Sequence, residues 1–410
     1  MKRFQGLCGR IALAMLCAGG AGAARSENLA IQSFSASGRI AFGELSTATT
    51  YRVDWARTAT GVWHTAWPGV FGLEARGHGS CVATVGVANA SCFYRVVASV
   101  TNAAPPGPGS DYLVVDLSGG PLAQTYTVSY LGAVPAGGWT DEYKTTRMVF
   151  RRIPAGSFNM GSPEDEEGRW FDEGEHPVVL SRDFYIGVFE VTQRQWERVM
   201  GNWPGYFNNA GCRETRPVES VSYNDIRGSG AGAAWPANGN VDIGSFLGAL
   251  RARTGTNADL PTEAQWEYVC RSGTIAPLNS GYSVTNDCDS HLDAVGRYWY
   301  NEGAEYPDPD VTTAAGTAQA GSYQPNAWGL YDLHGNVSEW CLDWYNVYLD
   351  TVTDPKGPAN PIAEMPFRVC RGGDCLDTAY LCRSAARYGY AADSRTFNVG
   401  FRVVLPAPGP

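Results

Sequence analysis

The segment GSYQPNAWGLYDLHGNVSEWCLDWY, residues 321–345, decides how this chain is read. It is crowded with Gly, Asn and aromatic residues and holds no long run of helical or alternating period, so it reads as loop and short strand. The same character extends outward over residues 147–404, one long stretch rich in Trp, Gly and Asn with a few short helices. Residues 192–200 (TQRQWERVM) are predicted helical, with Thr192 as N-cap. Residues 241–254 set Phe246, Leu247 and Leu250 at helical spacing. Residues 261–271 (PTEAQWEYVCR) are the clearest case. Pro261 ends the preceding run, Thr262 can cap, and Trp266, Val269 and Cys270 share one face, which puts Cys270 on the buried side.

Upstream the pattern changes. Residues 28–104 alternate apolar and polar in short runs separated by Gly, Ser, Thr and Asn, which predicts a small all-β, sandwich-like domain. Cys81 and Cys92 are close enough in sequence to bridge neighbouring strands or a hairpin loop. Residues 105–146 read as a Pro- and Gly-rich linker followed by connecting strands. Residues 1–23 read as a secretory signal: Lys2, Arg3 and Arg10 precede a short apolar run, and Ala21-Gly22-Ala23 is a small-residue cleavage site. No later stretch is long and apolar enough for a membrane helix. A secreted, periplasmic or cell-envelope protein is expected.

The 410 residues suit two or three domains, and 44% hydrophobic with 18% charged residues is a globular composition. The formal charge is −10, or −13 once the three leader cations are removed (−10 − 3), which argues against nucleic acid or an anionic membrane as partner. Eleven cysteines are present, and nine remain without Cys8 and Cys17. An oxidising compartment makes disulfides their default fate, and nine is odd, so at least one stays free or pairs between chains. Zinc is disfavoured: no CxxC occurs, and there are five His in all.

Eight ordered stretches resemble the formylglycine-generating enzyme, or sulfatase-modifying factor, domain. They are IPAGSFNMGS (153–162), EHPVVLSRDFYIGVFEVTQRQW (175–196), RPVESVSYNDI (216–226), LPTEAQWEYVCRSG (260–273), the opening segment, RVCRGG (368–373), CRSAARYGY (382–390) and NVGFR (398–402). The resemblance implies an α+β fold of the C-type-lectin-like kind over 147–404, with sparse secondary structure. It also implies calcium held by the Asn336 and Glu339 side chains and the Val337 carbonyl, because calcium prefers hard oxygens on loops. A second family site would use Asn301 and the Glu302 carbonyl. Cys270 matches a family cysteine that bridges to the terminal segment, with Cys382 its natural partner, and Cys370 could pair with Cys341.

The family's oxidases convert a sulfatase cysteine to formylglycine with copper and oxygen, using a C-x4-C pair. Cys370 and Cys375 have that spacing, with Cys382 close by. Register opposes the match. The family's pair follows Gly-Gly, whereas Cys370 precedes Gly372-Gly373, and counting back from Ala385-Ala386-Arg387 sets the second position on Ala379. The acidic run from Glu164 to Glu175 reads as a solvated loop. The leading expectation is an exported, non-catalytic member binding a protein or glycan. The alternative is an oxidase that acts on a sulfatase, dependent on copper and oxygen. Enzymatic activity stays open at this level.

Overall fold

The structure, a computed structural model, describes residues 110–408 apart from 209–210, 230–240, 304–314, 349–352, 359 and 363–365, and the backbone of seven strands before residue 100. The chain divides into two compact units, Met1–Pro105 and Pro106–Pro410. The first holds β1 (Ser26–Leu29), β2 (Ile31–Phe34), β3 (Arg39–Gly43), β4 (Thr50–Ala56), β5 (Val70–Arg76), β6 (Ser80–Val85) and β7 (Phe93–Ser99). They form a three-stranded sheet, order β1-β7-β4, and a four-stranded sheet, order β2-β3-β6-β5. The expected leader lies outside the described residues, as does Cys92 with its expected bond to Cys81.

The second unit opens with β8 (Tyr112–Asp116), β9 (Thr127–Leu131), the short helix α1 (Glu142–Thr145) and β10 (Arg147–Ile153). β8 pairs with β10, Arg147 across from Asp116, and β9 pairs with β8. The segment expected to connect two domains is thus the edge of the second domain's own sheet. Next come β11 (Gly156–Met160), β12 (His176–Leu180), β13 (Phe184–Gly187), α2 (Gln193–Met200), α3 (Tyr223–Arg227), α4 (Phe246–Thr254), α5 (Glu263–Arg271) and β14 (Gly296–Arg297). The last strands are β15 (His334–Gly335), β16 (Ser338–Trp344), β17 (Phe367–Arg371), β18 (Arg387–Ala391), β19 (Val399–Gly400) and β20 (Val404–Pro406). The two main sheets run β20-β13-β10-β8-β9 and β18-β17-β16-β19. This is the expected α+β fold with few, short helices.

Local chemistry explains the helix starts. In α2 the Thr192 hydroxyl accepts from Gln195 N at 3.2 Å while Gln195 Oε1 accepts from Thr192 N at 3.0 Å. Thr262 and Gln265 repeat this capping box at α5, at 3.1 and 2.9 Å. α4 starts at Phe246, later than its sequence pattern suggests, because Ser245 caps Gly248 N and 241–245 turn instead. α3 was not visible in the sequence: five residues are too few to show a period.

α5 sits at the centre. All nine of its residues are buried, charged ones included. Glu267 pairs with Arg271 at 2.8 Å and with Arg371, and Glu263 takes Arg387 through both oxygens at 2.6 and 2.8 Å. Trp266 donates its indole N–H to Glu339 at 2.9 Å. Glu339 in turn receives Arg402 on both oxygens, each at 2.6 Å. Arg402 also donates to the carbonyls of Gly187 and Tyr331, each at 3.0 Å. One buried ion pair therefore ties β16, β13, α5 and the segment between β19 and β20 together.

Two outcomes are expected. Thr262→Ala removes a buried cap and should lower unfolding free energy by about 1 kcal/mol, read in urea titration; an unchanged midpoint would deny the cap a role. Glu339→Ala strands Arg402 as an unpaired buried charge and should cost about 3–5 kcal/mol. Glu339→Ala combined with Arg402→Met should recover much of that loss, and a double variant no better than the single one would refute the pairing.

Candidate functional site

The turn after β17 is shaped by two glycines that no other residue replaces. Gly372 and Gly373 have φ of +98° and +68°. A Cβ on Gly373 would lie 2.7 Å from the Leu381 carbonyl and 2.8 Å from Cys382 Sγ. The close approach folds residues 374–382 back on themselves. Asp374 then accepts from Leu376 N at 2.8 Å and from Asn398 Nδ2 at 2.7 Å, and Asp377 accepts from Asp374 N at 3.1 Å. Burial raises the pKa of both carboxyls, and the charge on Asp374 raises Asp377 further. The two can hold a shared proton near neutrality. Asp377 is half-buried, and the nearby Tyr388 hydroxyl is buried without a partner. The sequence reading missed this pair.

The thiols do not form the expected bonds. Cys270, Cys341, Cys370, Cys375 and Cys382 are all buried free thiols, and Cys288 is exposed. His334 lies against both Cys270 and the backbone of Cys382. Its Nε2 lies 3.8 Å from Cys270 Sγ and accepts from Asn279 N at 3.0 Å, while Nδ1 donates to the Cys382 carbonyl at 2.7 Å. Burial lowers the His334 pKa to about 4, so the ring stays neutral. Cys341 and Cys370 are near neighbours, but the register sets Cys370 across from Trp340, with Cys341 one residue on, where the ladder becomes irregular.

The copper pair fares no better. Cys370 packs in the main core beside Cys341, while Cys382 belongs to a separate apolar cluster with Leu278 and Ala379 and adjoins Cys375. Burial pushes the Cys370, Cys375 and Cys382 thiols well above their ordinary pKa, which disfavours the thiolates that bind Cu(I).

The expected calcium ligands are already engaged. Asn336, in the left-handed region at φ +65°, accepts from Ala318 N at 2.7 Å and donates to Glu190 at 2.6 Å. Glu339 is saturated by Arg402 and Trp266. Asn301 folds its amide onto its own turn, accepting from Tyr298 N at 2.8 Å and donating to the Gly296 carbonyl at 2.8 Å. The Glu302 side chain lies outside the described residues. The surplus of oxygen lies one step away. Asp332 Oδ1 is buried without a partner, and burial together with Asp332 and Glu339 raises the Glu190 pKa. That donor chemistry suits a hard cation, although among the described residues no three His, Cys, Asp or Glu side chains converge as a cage. Asp332 is readable from the opening segment; Glu190, far away in sequence, is not.

Residues 139–407 match the sulfatase-modifying factor enzyme 1-like domain. The formylglycine-generating enzyme of Bos taurus is 30% identical over 317 residues, which are 68% of this chain and 79% of that protein. The chaperone protein LppX of Paenibacillus barcinonensis is 31% identical over 250 residues, 55% of this chain and 81% of that protein. Among solved structures, Treponema denticola variable protein 1 aligns with a TM-score of 0.48 at 26% identity, covering 64% of this chain and 96% of its own. With the glycine turn, the capped helices and the buried Glu339–Arg402 pair all falling inside the matched residues, the chain belongs to the sulfatase-modifying factor domain family.

Proposed function

We propose that this chain is an exported binding protein that keeps the family scaffold without its oxidation chemistry. The carrying observation is Ala379, fully buried where register sets the second family cysteine, with the remaining thiols divided between different packing clusters. A relative named as a chaperone supports a role in engaging another chain. The leader-like N-terminus supports export to the envelope or beyond, and among the described residues no helix is long and apolar enough to cross a membrane. The partner is a protein or glycan; the net charge of −10 disfavours nucleic acid.

The oxidase reading is favoured by the identity to the bovine enzyme. It needs two accessible thiols that converge, and they supply the test. Alkylation of the native protein is expected to label Cys288, with the six buried cysteines of the described residues, Cys212 among them, reacting only after denaturation. No Cu(I) should be drawn from a chromogenic chelator, and no oxygen consumed with a cysteine-containing sulfatase peptide. Cu(I) uptake and oxygen consumption, both lost in Cys370→Ser or Cys375→Ser, would replace the binding reading with the enzyme.

Calcium is proposed as a structural ion near Asp332, with Glu190 and the Val337 carbonyl as the local oxygens. Calcium added after chelator treatment should raise the melting temperature, and Asp332→Asn should abolish the rise. An unaltered melting temperature on calcium addition would remove the ion from the account.

A further inference from the structure

The connection from β11 to β12, residues 163–175, is held by its feet. Ser162 N donates to the Glu173 carbonyl at 2.9 Å and Ser162 Oγ to the Glu173 carboxylate at 2.7 Å. The buried Arg383 donates to Glu173 at 2.8 and 2.9 Å, to the Gly168 carbonyl at 2.6 Å and to Glu166. Asp172 meets Arg387 at 3.4 Å and accepts from the Tyr345 hydroxyl. What this frame presents outward is apolar: Trp170 is 57% exposed and Phe171 85%. Around them Glu164, Asp165, Glu167 and Glu175 are exposed, and none meets a basic side chain among the described residues.

At the loop's C-terminal foot opens a cavity of about 360 Å³, with Met160, His176, Glu263, Asp343, Tyr348 and Lys356 in its wall. Asp343 is only 3% exposed. One of its oxygens accepts from Glu263 N at 2.9 Å, and the other has no donor among the described residues. The Tyr348 hydroxyl is buried and unpartnered. Arg387, also in the wall, is spent on Glu263 and lies 4.0 Å over the Tyr348 ring. A buried carboxyl with one free oxygen and the Tyr348 side chain thus line one cavity, beside an acidic and aromatic rim.

We infer that this loop and cavity form a docking site for a partner polypeptide that inserts a lysine or arginine side chain beside a large apolar residue. The cation pairs with Asp343 beside Tyr348, and the apolar neighbour covers Trp170 and Phe171. Paired aromatic anchors beside a desolvated charge contact are what concentrate affinity at polypeptide interfaces. Burial and the Glu263 charge push Asp343 up to about 7. Arg387 and Arg368 oppose that rise, and Lys356, Asp354 and His176 face the cavity from the remaining sides. An entering cation favours the ionised carboxylate, so affinity rises with pH through neutrality and a proton is released on binding.

The test uses fluorescence anisotropy of the full chain with a labelled GGFKFGG peptide and its counterpart GGFQFGG. The lysine peptide should bind more tightly by about tenfold or more. Asp343→Asn, and separately the pair Trp170→Ala and Phe171→Ala, should each weaken it by a similar factor. Butylamine, which lacks the apolar neighbour, should compete only weakly. Equal binding of the two peptides, or binding unaffected by both variants, would overturn the inference. Thermal melting checks each variant, and the loop pair touches no core residue, so it carries the test if Asp343→Asn does not fold. The inference rests on the binding reading only for its biological sense: a negative result here leaves the thiol and oxygen measurements untouched, and the reverse also holds.

Discussion

The buried pairing of Arg402 with Glu339 is the constraint on which the second domain depends. A guanidinium can satisfy a carboxylate and two backbone carbonyls at once, because its donors diverge in a fixed plane. Here those acceptors belong to β16, β13 and the loop before β15. A hydrophobic core joins residues of both main sheets, and the helices that pack on it are short. Within that core the domain also holds charged groups removed from water and paired, an arrangement that tolerates little loss because each partner is costly when left alone. Arg371 with Glu267 and Arg387 with Glu263 extend the same logic across α5.

This architecture explains what was legible in the sequence. Thr192 and Thr262 announce helix starts because capping is local, acting between residues three apart. Cys270 on the inner face of α5 follows from helical spacing. The five-stranded sheet was only half visible: β8 and β9 look like a connector until their partner β10 is known. The ion pairs were not visible at all. Nothing near Glu263 indicates Arg387, and nothing near Glu339 indicates Arg402, since these partners meet only once the loops have closed.

The cysteines illustrate a different limit. An expected export and a family precedent both favour disulfides, and proximity in the fold goes part of the way, since Cys341 adjoins Cys370 and Cys375 adjoins Cys382. Adjacency is not bonding geometry. A strand ladder that sets Cys370 opposite Trp340, and an imidazole wedged beside Cys270, keep the sulfurs as small apolar fillers. In that role they are chemically quiet, since burial withholds the thiolate.

The loop over residues 163–175 carries a consequence for how such a domain can change. Its geometry is fixed by Ser162, Glu173 and Arg383 at the base, together with Glu166 and Gly168, whereas Glu164, Asp165, Trp170 and Phe171 project without structural duties. Those positions can be rewritten while the frame folds as before. The loop is therefore a natural place for lineages to exchange one recognition surface for another, and for a designer to graft one.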